Sequence, residues 1–569
     1  MFIYGVIFMK ISLLFPNQNL NFKKLSDVTV HDLGMDSIIK NITHKENEQT
    51  YIRNVMSLIT DDTANAVYRS DIFDDIFRNS VMRKQLLELF ERINFMKDYG
   101  SYKHDHDHDP GMWDLCHRLE EINDYIICIE AVFKCLENAD LQSEGMLALK
   151  EYVTKLYTDN GFEELKKDIA DLRANTSNLK SVTVGINLNQ CFEACGIGII
   201  SVNNKPFTKS NIVGRFIDKI SGKDNIHDGC EWNGEYKFEE FTAKEPYGAS
   251  KTVPLMPLSP IALMSIMSIS EADNQSRSIT NYMDEITTRL MSRTVKHLRE
   301  VLNKYTSLTI SDITDLMPEF IYYIRWVEYI EKQISRGFAF TKSQAVDSGI
   351  YTNACGIFNL KLLENSNISS TDVVVNDLDF SDKHCLYILT GANRGGKTTI
   401  TQAIGQTYFL AQGGIYVPGT SFEYSPVDCI FTHFPADEDK TMDLGRLGEE
   451  CARFKDIYEN ATHKSLLLLN ETFSTTSFEE GYYIAKDCEK AILEKGIRTI
   501  YNTHMHKLAY DIGDINEASE VYKSASLVVR TGEDGSRSYK VEIAPPEGMS
   551  YANDIARKYG VTYEMLVTH

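Results

Sequence analysis

The sequence predicts a mixed fold, in which a mainly α-helical region with a small β-rich insert precedes an α/β domain with a largely parallel sheet. Apolar residues recur at helical spacing over residues 71–96, 115–136 and 145–156. Between residues 181 and 255 this spacing gives way to strand-like runs with frequent Gly, Asn and Lys. From residue 351 onward, short apolar runs alternate with helical segments, which is typical of βαβ units.

The composition is that of a folded protein with several cores. The chain has 569 residues, of which 43% are hydrophobic and 25% charged, and this length suggests about three or four domains. The net charge of −22 argues against a polybasic coat for nucleic acid, although a local basic patch remains compatible with DNA binding. The 11 cysteines form no C-x-x-C pair, so we expect free thiols in a reducing cytoplasm.

The apolar N-terminus is best explained as a buried strand. Residues 1–16 are mostly apolar, but Lys10 interrupts them, and neither a leading basic region nor a small-residue cleavage site accompanies them. A signal peptide is the less favoured alternative. No apolar run in the sequence reaches the roughly 18 residues that a membrane-spanning helix needs, so we expect no contact with a membrane.

A short run of alternating His and Asp could bind a metal. His104, His106 and His108 alternate with Asp in residues 104–109, ahead of Pro110. Histidine is a common metal ligand, but alternation in a flexible segment does not fix a coordination geometry. We therefore favour a solvated loop.

Two groups of basic residues are candidate contacts for a DNA phosphate backbone. One lies in the β-rich insert and the other on one side of a predicted amphipathic helix over residues 286–304. The candidates are Lys205, Lys209, Arg215 and Lys219 in the insert, and Arg289, Arg293 and Lys296 on the helix. An ordinary solvated helix face is the alternative explanation for the second group.

Residues 386–398 carry the most specific chemical motif of the chain. Leu386–Thr390 is an apolar strand, and Gly391–Thr398 matches G-x-x-x-x-G-K-[ST] ahead of a helical segment. Glycines let backbone N–H groups curl around phosphates, and a helix N-terminus adds partial positive charge. In this motif Lys397 reaches the β- and γ-phosphates and the Thr398 hydroxyl ligates Mg²⁺. The sequence therefore predicts a P-loop NTPase domain that binds ATP and Mg²⁺.

Two further strands deliver polar residues to the edge of the sheet where ligands bind in open α/β folds. Leu466–Leu469 ends in Asn470 and Glu471, and the strand over residues 499–503 ends in His504. We expect Glu471 to polarise the attacking water and His504 to sense the γ-phosphate. Asn470 stands where an acid usually holds Mg²⁺ through water, which predicts weaker retention of Mg²⁺ than Asp would give.

Together these motifs resemble the MutS family of DNA mismatch-repair ATPases. Residues 390–398 resemble the family's TGPNMGGKST segment. The further resembling segments, in chain order, are Gly414–Pro418, Asp428–His433 (D-x-I-F-T-R), Ala461–Glu471 (AT-x-x-SLVLLDE), Ser474–Ser477, Thr503–Leu508 (THxxEL) and Gly548–Ala552 (the SYG segment). Upstream, Val182–Asn187 looks like the start of the family's clamp, the β insert at the tips of the lever helices.

The resemblance implies four segments and a set of site residues. The segments are 1–180 (N-terminal segment and helical core and lever), 181–255 (clamp-like insert), 256–350 (returning lever and core helices) and 351–569 (ABC-type ATPase domain). The implied ATP-binding residues are Asn376 on the adenine side and Gly391, Ala392, Asn393, Arg394, Gly395, Gly396, Lys397, Thr398 and Thr399. Glu471, Lys397 and His504 are implied to be catalytic, and Thr398 and Asn470 to hold Mg²⁺.

The resemblance also implies a homodimer in which each chain completes the other's site. The family's S-T-F-M signature, which reaches the partner's γ-phosphate, aligns with residues 445–448, followed by Glu450. Its serine is lost, and Arg446, which follows Gly445, is a possible electrostatic substitute. We find no counterpart of the family's Phe-x-Glu wedge before the core and no dimerisation extension after the SYG segment. We therefore expect an ATP-gated clamp without mismatch-specific readout.

Two functions of different classes follow from these observations. The first is an ATP-dependent DNA-binding protein, in which ATP binding and hydrolysis switch a dimeric clamp on DNA during mismatch repair or branched-DNA processing. The alternative is an ATPase dimer that serves as a scaffold or mechanical switch for a protein partner without binding DNA, which the net charge of −22 supports. A transporter-type nucleotide-binding subunit is less favoured, because the helical arms lie on the same chain.

Overall fold

The computed structural model describes most of the chain. The described residues are 11–16, 20–100, 111–176, 180–191, 194–205, 239–240, 288, 291–305, 316–392, 394–435, 445–531, 537–546, 557 and 559–567. Several predictions fall outside them: the strand in residues 1–10, the metal-binding alternative at His104, His106 and His108, the basic residues Lys209, Arg215, Lys219 and Arg289, the P-loop residue Asn393, and the SYG segment.

The chain forms two compact units, each assembled from separate stretches of sequence. Unit 1 contains residues 1–4, 91–132 and 154–311. Unit 2 contains residues 5–90, 133–153 and 312–569. These units cut across the four segments expected from the sequence, whose boundaries stay a prediction.

The helices fall into an N-terminal series, two central helices and a C-terminal series. They are α1 Asp27–Asp32, α2 Met35–Ile42, α3 Glu46–Met56, α4 Thr63–Arg78, α5 Ser80–Gly100, α6 Met112–Glu137, α7 Glu144–Thr158, α8 Asn160–Thr176, α9 Ser292–Leu302, α10 Met317–Ser335, α11 Lys397–Gln412, α12 Arg446–Asn460, α13 Phe478–Lys495, α14 His506–Tyr510, α15 Ile512–Ile515 and α16 Tyr563–Val567. Short 3₁₀ turns are Asn303–Tyr305, Leu360–Glu364, Ser370–Asp372 and Asn516–Ala518.

The strands form five sheets. They are β1 Lys23–Lys24, β2 Leu58–Ile59, β3 Ser181–Leu188, β4 Ala194–Asn203, β5 Glu239–Glu240, β6 Phe340–Thr341, β7 Gln344–Ala345, β8 Thr352–Ile357, β9 Asn376–Phe380, β10 Leu386–Thr390, β11 Val417–Pro418, β12 Ser421–Tyr424, β13 Ile430–His433, β14 Leu466–Asn470, β15 Arg498–Asn502, β16 Ser524–Thr531 and β17 Arg537–Ile543. The largest sheet has the order β13-β14-β15-β10-β16-β17.

The helices expected from periodicity are present, with one break. The stretch 71–96 is divided between α4 and α5 at Asn79, whose backbone leaves the helical region (φ −98°, ψ 70°). The Asn79 side-chain amide donates to the carbonyl oxygens of Asp75 and Asp140, both at 2.8 Å. A residue that hydrogen-bonds the backbone in this way competes with helix continuation.

Unit 1 contains a β hairpin and several helices. Strands β3 and β4 lie in the predicted β-rich insert and pair antiparallel, from Ser181 opposite Asn203 onward. On α9, the buried positions are Val295, Leu298 and Leu302. Arg293 and Lys296 are exposed, as expected for the polar side of an amphipathic helix.

The central sheet of unit 2 is parallel in five of its six strands, and only β17 runs antiparallel, to β16. Alternate side chains of β14 point to opposite faces, as a pleated strand requires. Leu467 and Leu469 join the buried cluster that includes residues of α12 and α13. Leu468 lies on the opposite face, where it approaches Gly405 of α11. Helices therefore cover both faces, as the βαβ pattern predicts.

The N-terminal helices α1–α3 belong to unit 2 and are joined to α11 by side-chain amides. Three glutamines spaced along α11 donate to backbone carbonyls of the N-terminal region: Gln402 to Asp32 at 2.7 Å, Gln406 to Leu33 at 2.8 Å and Gln412 to Thr60 at 2.8 Å. Gln406 and Gln412 are buried. Since a buried amide without a partner is costly, these bonds fix the position of α11 against residues 27–60.

A buried arginine donates hydrogen bonds to backbone carbonyls near the start of the described chain and at the end of α11. Arg69 on α4 is fully buried, and its Nε donates to the Leu14 carbonyl at 2.7 Å. Its Nη1 donates to the Gln412 carbonyl at 3.2 Å.

Among the helices described, none combines the length and the apolar content that crossing a bilayer requires.

Glu489 on α13 is a carboxyl group buried without a hydrogen-bonding partner. It is fully buried, and neither of its carboxylate oxygens has a partner among the described residues. Its helical neighbours Ala485, Ile492 and Leu493 belong to the apolar cluster. Burial raises the pKa of Glu489 well above its usual value, although the charge of Lys486 opposes this shift.

We predict that Glu489→Met stabilises the protein at pH 7.5 by about 1–3 kcal/mol, the usual cost of an unsatisfied buried group. Because the pKa of Glu489 is raised in the folded state, the unfolded chain ionises this carboxyl more readily, so its destabilising effect grows as pH rises above 4.5. The gain should therefore shrink at pH 5. Urea unfolding at both pH values measures it.

The matched control is Glu494→Met, which changes an exposed residue of the same helix and should leave the free energy of unfolding nearly unchanged. A Glu489→Met protein that is less stable than the parent at pH 7.5 would show that the carboxyl group is satisfied in the core.

Candidate nucleotide-binding site

The loop between β10 and α11 needs its glycines. Gly391 has φ +137° and Gly396 has φ +93°, both in the region that L-residues rarely adopt. A Cβ atom on Gly391 would lie 3.0 Å from the Cβ of Val529, and one on Gly395 would lie 2.8 Å from the Ala392 carbonyl oxygen. Glycine is therefore required for the backbone to turn this closely ahead of α11.

Lys397, the first residue of α11, folds back into the loop. Its Nζ donates to the carbonyl oxygens of Gly391 at 3.0 Å and Ala392 at 3.3 Å. Burial lowers the pKa of Lys397, while the negative charge of Glu471 opposes this shift. The ammonium group thus lies within the curve of the loop, where an anion held by the loop would meet it.

Three polar side chains meet at the start of α11 and the ends of β14 and β15. The Thr398 hydroxyl donates to Asn470 Oδ1 at 3.1 Å. Asn502 Nδ2 donates to the same Oδ1 and also to Thr398 Oγ1, the latter at 3.3 Å. Thr398 and Asn470 offer oxygen atoms, the ligand type that Mg²⁺ prefers, so these residues fit the cation that the sequence predicts.

Glu471 and His504 form a hydrogen-bonded pair beside this network. His504 Nε2 and Glu471 Oε1 are 2.7 Å apart, and both side chains are partly exposed. Glu471 has φ +54°, and its backbone N–H donates to the Asn502 carbonyl at 2.8 Å. His504 therefore orients the carboxylate that the sequence assigns to catalysis.

Several of these residues line a cavity of about 750 Å³, whereas Asn470 and Asn502 are not among its lining residues. Its polar lining includes Lys397, Thr398, Thr399, Glu471 and His504. Its apolar lining consists of Ile357, Phe358, Leu362, Val373, Val374, Ile400 and Ala403. A ligand with one apolar and one anionic end matches this lining, as a nucleotide does.

Asn376 and Tyr539 connect the cavity to the edge strand β17. The Asn376 side-chain amide donates to the Tyr539 carbonyl at 3.1 Å and accepts from the Val541 N–H at 2.8 Å. Both residues line the cavity. Sequence analysis found Asn376 by resemblance but missed Tyr539, which lies outside every motif and reaches Gly396 only through the fold.

Unusual backbone conformations concentrate at the cavity. Among the described non-glycine residues, Arg394, Glu471, Phe473 and Tyr539 have positive φ. Three of them, all except Phe473, line the cavity. Strained residues cluster at functional sites, which supports assigning function to this cavity.

Comparison with known proteins finds a match over this part of the chain. A family model described as MutS domain V matches residues 387–567. Residues 387–567 are therefore similar to domain V of the MutS family. The MutS match begins within β10 and includes the phosphate-binding loop, β14, β15 and β17.

Individual MutS proteins match the same region. The DNA mismatch repair protein MutS of Chlorobium chlorochromatii is 35% identical over 193 residues, which cover 32% of this chain and 22% of the relative. The protein of the same name from Thermosipho melanesiensis is 31% identical over 192 residues (32% and 23%). The DNA mismatch repair protein MutS 2 of Halobacterium salinarum is 30% identical over 189 residues (33% and 21%). The chain thus spans less than a quarter of the length of these relatives.

The segment that aligns with the family's S-T-F-M signature, residues 445–448, lies at the start of α12. Gly445 and Arg446 are exposed, and no residue of 445–450 is among the described residues that line the cavity. Burial raises the pKa of Glu450, and hydrogen bonds from Thr475 and the Phe473 backbone oppose this shift. Glu450 therefore faces its own chain, whereas Gly445 and Arg446 are accessible to a second molecule.

We predict that Gly391→Ala destabilises the protein by about 1–3 kcal/mol, because alanine must adopt a strained backbone conformation and its Cβ contacts Val529. Urea unfolding measures the loss. The control is Gly349→Ala, where an added Cβ meets nothing within 4 Å. Equal stability of the two variants would show that the loop adjusts without cost.

Proposed function

We propose that this chain is a MutS-type ATPase that binds ATP with Mg²⁺ in the cavity of about 750 Å³. The observation that carries the proposal is the convergence of the Gly391–Thr398 loop, the Glu471–His504 pair and an apolar wall on that one cavity. The family match over residues 387–567 supports it.

Each part of the cavity has a distinct role in this proposal. Backbone N–H groups of residues 391–398, with Arg394 and Thr399 at their sides, bind the phosphates at the N-terminus of α11. Lys397 contacts the β- and γ-phosphates. Thr398, and Asn470 through water, hold Mg²⁺, which neutralises phosphate charge when bound. The apolar wall and Asn376 receive the adenine.

Hydrolysis requires a water positioned in line with the γ-phosphate. We assign this role to Glu471, and the hydrogen bond from His504 keeps its carboxylate in one orientation. His504 also senses the γ-phosphate. A neutral Asn470 in place of an acid lowers the affinity for Mg²⁺, so we expect slow turnover.

We further propose a homodimer in which ATP acts as a two-state switch. The partner subunit's segment 445–450 would complete the site and sense the γ-phosphate. The glutamine bonds between α11 and residues 27–60 support this idea, because they link the loop to the N-terminal helices. A ligand shifts such an equilibrium only through different contacts in the two states, and the partner's segment supplies that difference.

The proposed partner is DNA, duplex or branched, contacted mainly through its phosphates. The relatives' names refer to DNA mismatch repair, and Lys205, Arg293 and Lys296 are exposed in unit 1. The proposed contacts also include Lys209, Arg215, Lys219 and Arg289. The second candidate is an ATPase dimer that acts on a protein partner, which the net charge of −22 favours.

We predict that Lys397→Ala weakens ATP binding roughly 10- to 100-fold, the effect of removing a hydrogen bond to a charged group. Titration with a fluorescent ATP analogue in Mg²⁺ measures it. Lys383→Ala, at an exposed position before β10, is the control and should bind like the parent. A Lys397→Ala protein with parental affinity and parental hydrolysis would refute the assignment of the cavity.

A charge-reversal experiment separates the two candidate partners. Changing Lys205, Lys209 and Arg215 to Glu should abolish DNA stimulation of the ATPase, and parental DNA binding should fall steeply between about 50 and 200 mM salt. The control reverses three exposed lysines elsewhere, Lys332, Lys383 and Lys455, for the same change in net charge. Absence of parental DNA binding at about 50 mM salt would favour the protein partner.

A further inference from the structure

Asn470 can assist a metal ligand in only one of the two orientations of its side-chain amide. A carboxylate presents two acceptor oxygens, whereas an amide presents one acceptor and one donor. A threonine hydroxyl that ligates a cation uses a lone pair for the metal and needs an acceptor for its proton. Asn470 meets this need when Oδ1 faces Thr398, whereas Nδ2 in that place would donate to the lone pair that the metal requires.

Asn502 enforces the productive orientation. It lies directly opposite Asn470 in the parallel register of β14 and β15, and it is fully buried. Its Nδ2 group carries two hydrogens, one donated to Asn470 Oδ1 and the other to Thr398 Oγ1. An N–H donor at this place attracts the oxygen end of the Asn470 amide and repels its nitrogen end.

Asn502 holds this position at the expense of its own hydrogen bonding. Its Oδ1 is buried and has no partner among the described residues. Such an unsatisfied acceptor is destabilising and calls for an explanation. The explanation favoured by the geometry is that the Nδ2 contacts set the orientation of Asn502, and its Oδ1 must remain unpaired as a result.

We propose that Asn502 is a positioning residue for Mg²⁺, required because residue 470 is Asn and not Asp. The pair Asn470–Asn502 then does with two amides what one carboxylate does in the family's AT-x-x-SLVLLDE segment. This inference rests on the proposed binding of ATP and Mg²⁺ in the cavity. It goes further by naming a residue whose importance depends on the identity of its neighbour.

A double-mutant cycle tests this dependence. Asn502→Leu, which keeps the number and branching of side-chain heavy atoms but removes the donor, and Asn502→Ala are each made in the parent and in Asn470→Asp. The measurement is the Mg²⁺ concentration that half-maximally tightens binding of a fluorescent, non-hydrolysable ATP analogue. Binding of the analogue in EDTA and the thermal unfolding midpoint are measured in parallel, so that loss of folding is recognised.

In the parent, we expect both Asn502 variants to require roughly 10- to 100-fold more Mg²⁺, the usual effect of losing a residue that orients a metal ligand. Binding in EDTA should stay unchanged. In Asn470→Asp, the same variants should change the Mg²⁺ requirement by no more than about twofold, the scatter of independent sites, because either carboxylate oxygen can accept from Thr398.

Two results would overturn the inference while leaving the proposed function intact. One is an unchanged Mg²⁺ requirement for Asn502→Leu in a parent that binds the analogue. The other is an equal loss in both backgrounds, which indicates a structural role. A parent that binds no nucleotide, with or without Mg²⁺, refutes the proposed function and this inference with it.

Discussion

Buried hydrogen bonds from side-chain amides hold helix α11, and with it the Gly391–Thr398 loop, in place. Gln406 illustrates the constraint: it is fully buried, donates to the Leu33 and Asn359 oxygens, and accepts from the Leu360 N–H. Apolar contacts tolerate sliding, whereas breaking a buried polar network leaves groups unsatisfied. The loop at the N-terminus of α11 therefore has a fixed position relative to the N-terminal helices, and any change at one is felt at the other.

The electrostatics of the cavity follow from a small number of charges. Lys397 and Arg394 are cationic residues of the cavity's lining, and Glu471 and Asp372 are acidic ones. Asn470 contributes no charge, so in the proposed complex a triphosphate would meet less repulsion than it would beside Asp. The same substitution removes attraction for Mg²⁺. Nucleotide and metal are thus affected in opposite directions, and the neighbouring amide of Asn502 gains importance because geometry must replace charge.

Much of the site could be predicted from sequence because its residues belong to local motifs at strand ends. Gly391–Thr398, Glu471 and His504 converge on one sheet edge, as parallel strands require. Tyr539 and Asn502 could not be found in this way. Tyr539 lies beside the loop because it belongs to the antiparallel strand β17, which carries no motif. Asn502 is a polar residue of β15, and no sequence pattern marks it as part of a site. Their roles depend on side-chain contacts between distant segments, which periodicity does not encode.

The fully buried Arg69 makes contacts in unit 2 that extend beyond the stretch that matches the MutS family model. Its guanidinium connects the Leu14 and Gln412 carbonyls, which lie far apart in the sequence but both belong to unit 2. The stretch that matches the MutS family model begins only at residue 387. If that stretch were excised, the interior surface now covered by residues 11–90 would be left open to water. The stretch that matches the family model is therefore smaller than the compact unit that contains it.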